Sequence, residues 1–305
     1  VTPEGVADNG GLVAAGGNGS LVVGFRPSQE LAYSPLATST DTGLNWTPGL
    51  VDAALADTPG AIAVGPSGRT LALLQDGTIE AAPTAAAGQW VPLATLKALA
   101  ASAPGRSCGL KGMTAVSFGP DQNPIAAGSC VRPGAAGVFT DTGGTWRSAG
   151  LTLPGDGPGM GTVRVLGLTS VPGGNAALLA ISHPGGNSLL AAWWDGTRWT
   201  VSAPVTAAGV RALGFGPGGS AWLLLGGSRA ETIAGAGSTW RALPPVPAGT
   251  KVLAPPGMGT LAPGTGGSYD ALAVAGSRLT VWRLAGGAWG KVQQISVPVQ
   301  YGSSG

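Results

Sequence analysis

The groups in this chain that could do chemistry are few: twelve arginines, one histidine (His183), fourteen carboxylates, three tyrosines and two cysteines among 305 residues. Two of the arginines recur in matching surroundings, Val163-Arg164-Val165-Leu166-Gly167-Leu168 and Val210-Arg211-Ala212-Leu213-Gly214-Phe215. A guanidinium fork binds carboxylate or phosphate through two parallel N–H donors, so arginines repeated in this way point to a small planar anion. His183 stands in Ser182-His183-Pro184-Gly185, a loop sequence, and no Gly-x-Ser-x-Gly elbow supplies a nucleophile for it. The chain contains neither a GxxxxGK[ST] phosphate loop nor a Cys-x-x-Cys or Cys/His cluster. No nucleotide, metal or other cofactor is therefore expected.

Composition limits the scaffold that can position these groups. Gly (55) and Pro (25) exceed a quarter of the residues but punctuate apolar runs, and 44% hydrophobic residues suffice for a sizeable core. Charged residues make up 10%, against about 25% in an average globular chain. The net charge of +2, without any Lys/Arg run, excludes nucleic acid as the expected partner. The longest apolar stretches, Ala176 to Ile181 and Ala221 to Leu225, are of strand length, far below the ~20 residues that span a bilayer. The chain begins at Val1 rather than Met, so any signal peptide is expected to have been removed or to lie outside this sequence. Cys108 and Cys130 are separated suitably for a bridge across neighbouring strands, the alternative being two separately buried thiols. A bridge implies an oxidising compartment, hence an extracellular or cell-surface protein.

The elements that carry these residues repeat. Thr140-Asp141-Thr142-Gly143-Gly144-Thr145-Trp146 is a near-copy of Thr40-Asp41-Thr42-Gly43-Leu44-Asn45-Trp46. In each, the Asp can accept backbone N–H bonds across a turn, Gly43 or Gly143 can take positive φ, and the Trp can clamp the hairpin. Trp46, Trp90, Trp146, Trp199, Trp240 and Trp289 each follow a small Gly-containing turn and are spaced 41 to 56 residues apart, near the ~40–50-residue period of a four-stranded propeller blade. Short apolar runs separated by Gly/Pro turns precede each Trp. The pattern predicts an all-β chain forming one β-propeller domain over residues 1–305, with six four-stranded antiparallel blades rather than seven. A short helical insertion is expected over 92–103, where Leu93, Leu96, Leu99 and Ala100 fall at helical spacing. The strand opening the sixth blade is indistinct within the Gly/Pro-rich stretch 251–267.

The segments Asp41 to Trp46 and Asp141 to Trp146 resemble the Asp-box, Ser/Thr-x-Asp-x-Gly-x-x-Trp, of BNR-repeat propellers such as sialidases, sortilin-type receptors and many secreted bacterial propellers. Asp195-Gly196-Thr197-Arg198-Trp199 resembles a shortened box. The resemblance implies that Asp41, Gly43, Trp46, Asp141, Gly143, Trp146, Asp195 and Trp199 are structural, placed between the third and fourth strands of a blade and away from the usual ligand face. That face would then gather the starts of the first strands, with Arg164, Arg211, Thr114 and Gly60, and the second-to-third-strand turns, with Arg26, Asp76, Arg132, His183, Arg229 and Arg278. Sialidase chemistry would further require three arginines on one carboxylate, a Tyr nucleophile paired with Glu, and an Asp acid/base. Tyr269, in Gly267-Ser268-Tyr269-Asp270, is similar to the nucleophile's surroundings, and Gly24-Phe25-Arg26-Pro27 is similar to the family's Phe-Arg-Ile-Pro without its Ile. None of Glu4, Glu30, Glu80 and Glu231 is placed to activate Tyr269. The expected function is thus a monomeric, non-catalytic binding or scaffolding propeller for a carbohydrate, a small anion or another protein. Its ligand candidates are Arg26, Arg132, Arg164, His183, Arg211 and Arg229. The alternatives are a sialidase-like glycoside hydrolase and a structural protein–protein interaction module.

Overall fold

The computed structural model describes residues 11–16, 19–25, 33–56, 58, 60–154, 161–208, 210, 212–225, 229–245, 247, 261–263, 268–275 and 278–296. They form six four-stranded antiparallel blades of a six-bladed β-propeller. Blade one comprises Gly11–Ala15, Leu21–Phe25, Ser34–Ser39 and Thr47–Val51. Blade two comprises Ile62–Val64, Thr70–Leu73, Ile79–Ala82 and Val91–Ala94. Blade three runs through Leu110–Phe118, Pro124–Cys130, Ala135–Thr142 and Thr145–Ser148, and Leu151–Thr152 extends its outer edge. Blade four runs through Val163–Val171, Gly174–His183, Gly186–Trp194 and Trp199–Val201, with Val205–Thr206 extending it in the same way. The chain divides into two compact units, residues 1–207 and 208–305, so these four blades make up the first unit.

Within the first unit the second strands of blades two to four are mainly apolar and buried along most of their length because neighbours cover both of their faces. Thr70–Leu73 is buried at every position, and Gly174–His183 is buried or half-buried until its last two residues. One core cluster joins blades one to three, including Leu12, Leu36, Leu71, Leu73, Ile79 and Phe139. A second joins blades three and four through Ile125, Val138, Val163, Val165 and Leu179. Each such side chain stabilises the fold by about 1.5–3 kcal/mol through burial. First strands also meet directly: Gly60 bridges Ala115 in parallel, and Val116 donates its N–H to the Gly60 carbonyl at 2.8 Å. A β-carbon on Gly60 would lie 2.8 Å from that of Ala115, so this approach requires glycine.

The second unit holds blade five, Ala212–Phe215, Ala221–Leu225, Arg229–Ile233 and Arg241–Ala242. It also holds blade six, Leu261–Pro263, Tyr269–Ala275, Arg278–Ala285 and Ala288–Ser296. Leu261–Pro263 is the opening strand that is indistinct in the Gly/Pro-rich sequence. Ala288–Ser296, which carries Trp289, is the outer strand of blade six, paired along its length with the third strand.

Two expectations are corrected. The helical stretch is shorter at its start and longer at its end than 92–103, because Val91–Ala94 completes blade two. Thr95 Oγ1 then caps helix α1, Leu96–Ala101, by accepting from Ala98 N, and Ser102 Oγ caps helix α2, Ala103–Cys108, by accepting from Gly105 N. The Cys108–Cys130 disulfide is present, but it ties the end of α2 to the second strand of blade three rather than joining two strands.

Candidate functional site

The aspartate turns of blades one, three and four mark one end of each blade. Each lies between third and fourth strands, but the two near-copies fold differently. In blade three, Thr142 pairs with Thr145, leaving a two-residue turn in which Gly143 and Gly144 take φ of 62° and 87°. Positive φ at both positions is what a tight hairpin of this hand requires. Asp141 Oδ1 accepts from Gly144 N at 2.8 Å. In blade one the corresponding position is Leu44, which cannot take positive φ cheaply. The positive φ falls instead on Thr42 and Gly43, and a wider loop runs from Thr38 to Thr47. Asp41 is held there by Asn45 N at 2.9 Å, by the Asn45 side chain at 2.6 Å and by Ser39 Oγ at 2.7 Å. The backbone N–H of Asn45, then its side chain, then Ser39 bring the Asp41 carboxyl down to about 2. In blade four Asp195 Oδ1 accepts from Arg198 N at 2.9 Å and from Thr197 N and Oγ1 at 2.8 and 2.7 Å, which lowers its carboxyl to about 2 as well.

The tryptophans do more than clamp their own hairpins. Trp46 Nε1 donates to Gly43 O at 3.1 Å within its own turn. Trp199 Nε1 instead donates to Ala149 O of blade three at 2.7 Å, and Trp289 Nε1 to Pro244 O of blade five at 3.0 Å. Both acceptors lie just past the outer strand of the preceding blade, so these tryptophans staple blade to blade.

At the opposite blade ends the first unit presents a cleft of about 330 Å³ lined by Leu153, Pro154, Ile181, His183, Ser188, Leu190, Val201, Ser202 and Pro204. Ile181 pairs with Ser188 and His183 with Gly186, so His183 and Ser188 project from one face of the hairpin between the second and third strands of blade four. Their side chains meet, His183 Nε2 to Ser188 Oγ, at 3.0 Å. No motif in the sequence signals this diagonal pairing, which depends on register. Among the described residues no carboxylate lines the cleft to orient the imidazole as a catalytic triad would. Arg132 occupies the neighbouring second-to-third-strand turn of blade three. That turn, closed by Ala135 N donating to Arg132 O at 3.3 Å, is bonded to the cleft wall through Leu153 N, which donates to Gly134 O at 2.9 Å. Arg164, exposed near the start of the first strand of blade four, pairs with Ala180 and so lies on the face opposite Ile181. Blade two contributes carboxylates to this end. Burial first, then Asp76 and Asp52, push the half-buried Glu80 carboxyl upward.

In the second unit Arg229 opens the third strand of blade five and pairs with Glu231 at 3.6 Å. Arg278 opens the third strand of blade six and is exposed. Tyr269 is placed differently from the expectation of a channel-face nucleophile. It begins the second strand of blade six, level with Leu284 and Trp289, which is the aspartate-turn end of that blade. Its ring is 7% exposed in the core with Trp222 and Leu224, and its hydroxyl meets Thr232 Oγ1 at 2.6 Å. Asp270 is bound bidentately by Arg283 at 2.7 and 2.8 Å. That contact, first as a hydrogen bond and then as a charge, lowers the Asp270 carboxyl. Arg26 and Arg211, with Glu4 and Glu30, lie outside the described residues. Among the described residues no group of three or more His, Cys, Asp or Glu could hold a metal ion, and no helix is long and apolar enough to cross a membrane.

No family model and no curated protein matches the chain. Solved structures do match. Virginiamycin B lyase from Staphylococcus aureus is 12% identical with a TM-score of 0.52, covering 96% of this chain and 86% of its own. A protein from Lactobacillus plantarum is 13% identical with a TM-score of 0.55, covering 94% and 85%. A GH74 xyloglucanase from Xanthomonas campestris is 14% identical with a TM-score of 0.53 over 89% of this chain, which spans 44% of that enzyme. At such identities the likeness is one of fold alone, and what the chain shares with these proteins is the β-propeller.

Proposed function

We propose that the chain is a non-catalytic binding module, a single propeller domain of the Asp-box kind, secreted or displayed at a bacterial cell surface. It takes an anionic carbohydrate or another small anion at the blade ends opposite the aspartate turns. The observation that carries this reading is the His183 cleft. A sugar ring suits a wall of Leu153, Ile181, Leu190, Val201 and Pro204 with polar groups at His183, Ser188 and Ser202. Arg132, in the adjoining turn, supplies positive charge near it, whereas Arg164 lies on the other face of blade four and, with Arg26, Arg211 and Arg229, is a further candidate outside the cleft wall. Against an enzyme of the sialidase kind stand the burial of Tyr269 with Thr232 and the absence of a carboxylate among the described residues of the cleft. The solved structures of similar fold have unlike activities in their names, as expected when function resides in the site and not the fold. A glycan and small-anion screen on the folded chain, followed by His183→Ala and Arg132→Ala, with Arg164→Ala as the comparison on the other face of the blade, tests the reading. Loss of binding is expected in His183→Ala and Arg132→Ala, and unchanged binding in both removes it.

A further inference from the structure

The two serines of the His183 cleft are not equivalent. Ser202 Oγ is committed to the backbone, accepting from Ala191 N at 3.1 Å and donating to Ala203 O at 2.9 Å. Ser188, half-buried, has the exposed His183 as its side-chain partner, Oγ to Nε2 at 3.0 Å. Among the described residues His183 Nδ1 has no hydrogen-bond partner that would fix the tautomer of the ring. The direction of the His183–Ser188 bond therefore follows the charge on the imidazole. A neutral ring can accept the Ser188 proton at Nε2, which leaves the oxygen lone pairs towards the cleft. An imidazolium carries N–H at both nitrogens, so Nε2 donates to Ser188 Oγ and the Ser188 O–H is released towards a ligand.

We propose that this cleft takes up a carboxylate ligand together with a proton on His183, the Ser188 hydroxyl turning from the imidazole to the ligand as the proton binds. The proposal rests on the binding reading of the same cleft and adds the ligand's chemistry and its control. A carboxylate only accepts hydrogen bonds, so it needs the Ser188 O–H turned outward, and it gains from the imidazolium charge beside it. A sugar hydroxyl both donates and accepts, so either direction of the Ser188 bond serves it. Among the described residues that line the cleft, His183 alone carries an ionisable side chain. On the surrounding elements Arg132 stands in the adjoining turn, Arg164 on the opposite face of the sheet, and Asp141, Arg147, Asp195 and Arg198 at the aspartate-turn ends of blades three and four. Asp156 lies outside the described residues. His183 is the single histidine of the chain, and Glu80, the carboxyl that burial pushes upward, belongs to blade two.

The test is calorimetric titration of the folded full chain at about pH 5.5 and about pH 8, on either side of the range in which an imidazole changes charge. Acetate and methyl glucuronide are the carboxylate probes, ionised at both values, and methyl glucoside is the neutral counterpart. Carboxylate affinity should be about tenfold higher at the lower pH, with proton uptake on binding shown by buffers of unlike ionisation enthalpy. Glucoside affinity should be the same at both. His183→Gln, which keeps a polar group but does not titrate, should bind the carboxylates equally at the two pH values. Ser188→Ala should bind them more weakly at the lower pH and with a smaller pH dependence. Thermal midpoints equal to the parent's are expected in both variants, since neither side chain is fully buried. Carboxylate binding of equal affinity at both pH values, or the parent's pH dependence retained in His183→Gln, overturns the proton coupling while leaving the cleft a binding site. If neither carboxylate saturates, the proposal falls. The cleft reading is then decided separately, by His183→Ala and Arg132→Ala with the ligand from the glycan and small-anion screen.

Discussion

Trp199 Nε1 donates to the carbonyl oxygen of Ala149 at 2.7 Å, across 50 residues of sequence and from blade four to blade three. Trp289 repeats the relationship with Pro244 between blades six and five. The indole N–H of Trp90 is buried in blade two without a hydrogen-bond partner. Trp199→Phe removes the donor while keeping a ring, and should destabilise the fold by about 1 kcal/mol for the lost bond. Trp90→Phe should cost less, because no bond is lost. Urea denaturation of both variants checks the ranking, and an equal loss would mean that the staple is ring packing alone.

The two near-identical aspartate turns should respond differently to one substitution. Gly144 takes φ of 87° in a two-residue turn, where blade one has Leu44 in a wider loop. Gly144→Leu should therefore destabilise by about 1–2 kcal/mol, whereas Leu44→Gly should change stability by no more than a few tenths. Asp141→Ala, which strips the acceptor from Gly144 N, should cost about 1.5–3 kcal/mol as a charge-assisted bond. Thermal unfolding of the three variants measures this, and a neutral Gly144→Leu would contradict the two-residue turn.

How much of this is legible in the sequence follows from the range of the interactions. The Trp spacing and the Gly turns are local signals with local causes, and they locate six blades and the strands within them. Aspartate-turn residues can likewise be assigned from the motif, because Asp195 bonds only to neighbours two and three residues away. The Trp199 staple, the His183–Ser188 diagonal and the burial of Tyr269 depend on register or on packing against another blade. Tyr269 resembles a nucleophile in sequence because its neighbours are Ser268 and Asp270. Position on the blade decides otherwise, since a second strand begins at the aspartate-turn end. The disulfide pairing is legible from two cysteines, but its helical anchor is not, because α2 carries Pro104 and Gly105 and reads as loop.

Acid should reveal carboxylates of opposite sign. Asp41 and Asp195 lie at about 2 in the folded protein against an ordinary 3.8. Their contribution to stability is complete above about pH 4 and is lost as the pH falls towards 2. Glu80 is raised above its ordinary 4.5 by burial and by Asp76 and Asp52. Stability linked to it is complete below about pH 4 and is lost as the pH rises through its folded value. Glu80→Gln should raise the unfolding midpoint at about pH 7 and leave it unchanged at about pH 4. Asp195→Asn should lower the midpoint at about pH 7, with the difference closing as about pH 2 is approached. Midpoints that shift in parallel at all pH values would contradict both assignments.

Reduction of Cys108–Cys130, which closes a span of 22 residues, should lower stability by about 3 kcal/mol in the chain-entropy picture. Loss of protection should appear first in α1 and α2. Hydrogen exchange before and after reduction, with mass measurement after alkylation, checks both the bridge and the element it anchors. Unchanged exchange in 96–108 would mean that capping by Thr95 and Ser102 suffices to hold the two helices.

A non-catalytic site at the His183 end is tested most directly by calorimetric titration of an anionic oligosaccharide or a small organic anion identified in a binding screen. Ser188→Ala is then compared with the parent, because it removes the hydroxyl that meets His183 Nε2 in the cleft without touching the aspartate turns. Saturable binding by the parent is expected, with affinity at least about tenfold weaker in Ser188→Ala and His183→Ala, and with the ligand recovered chemically intact. Undiminished affinity in both variants, or recovery of the ligand as cleaved product, would contradict a non-catalytic His183 site.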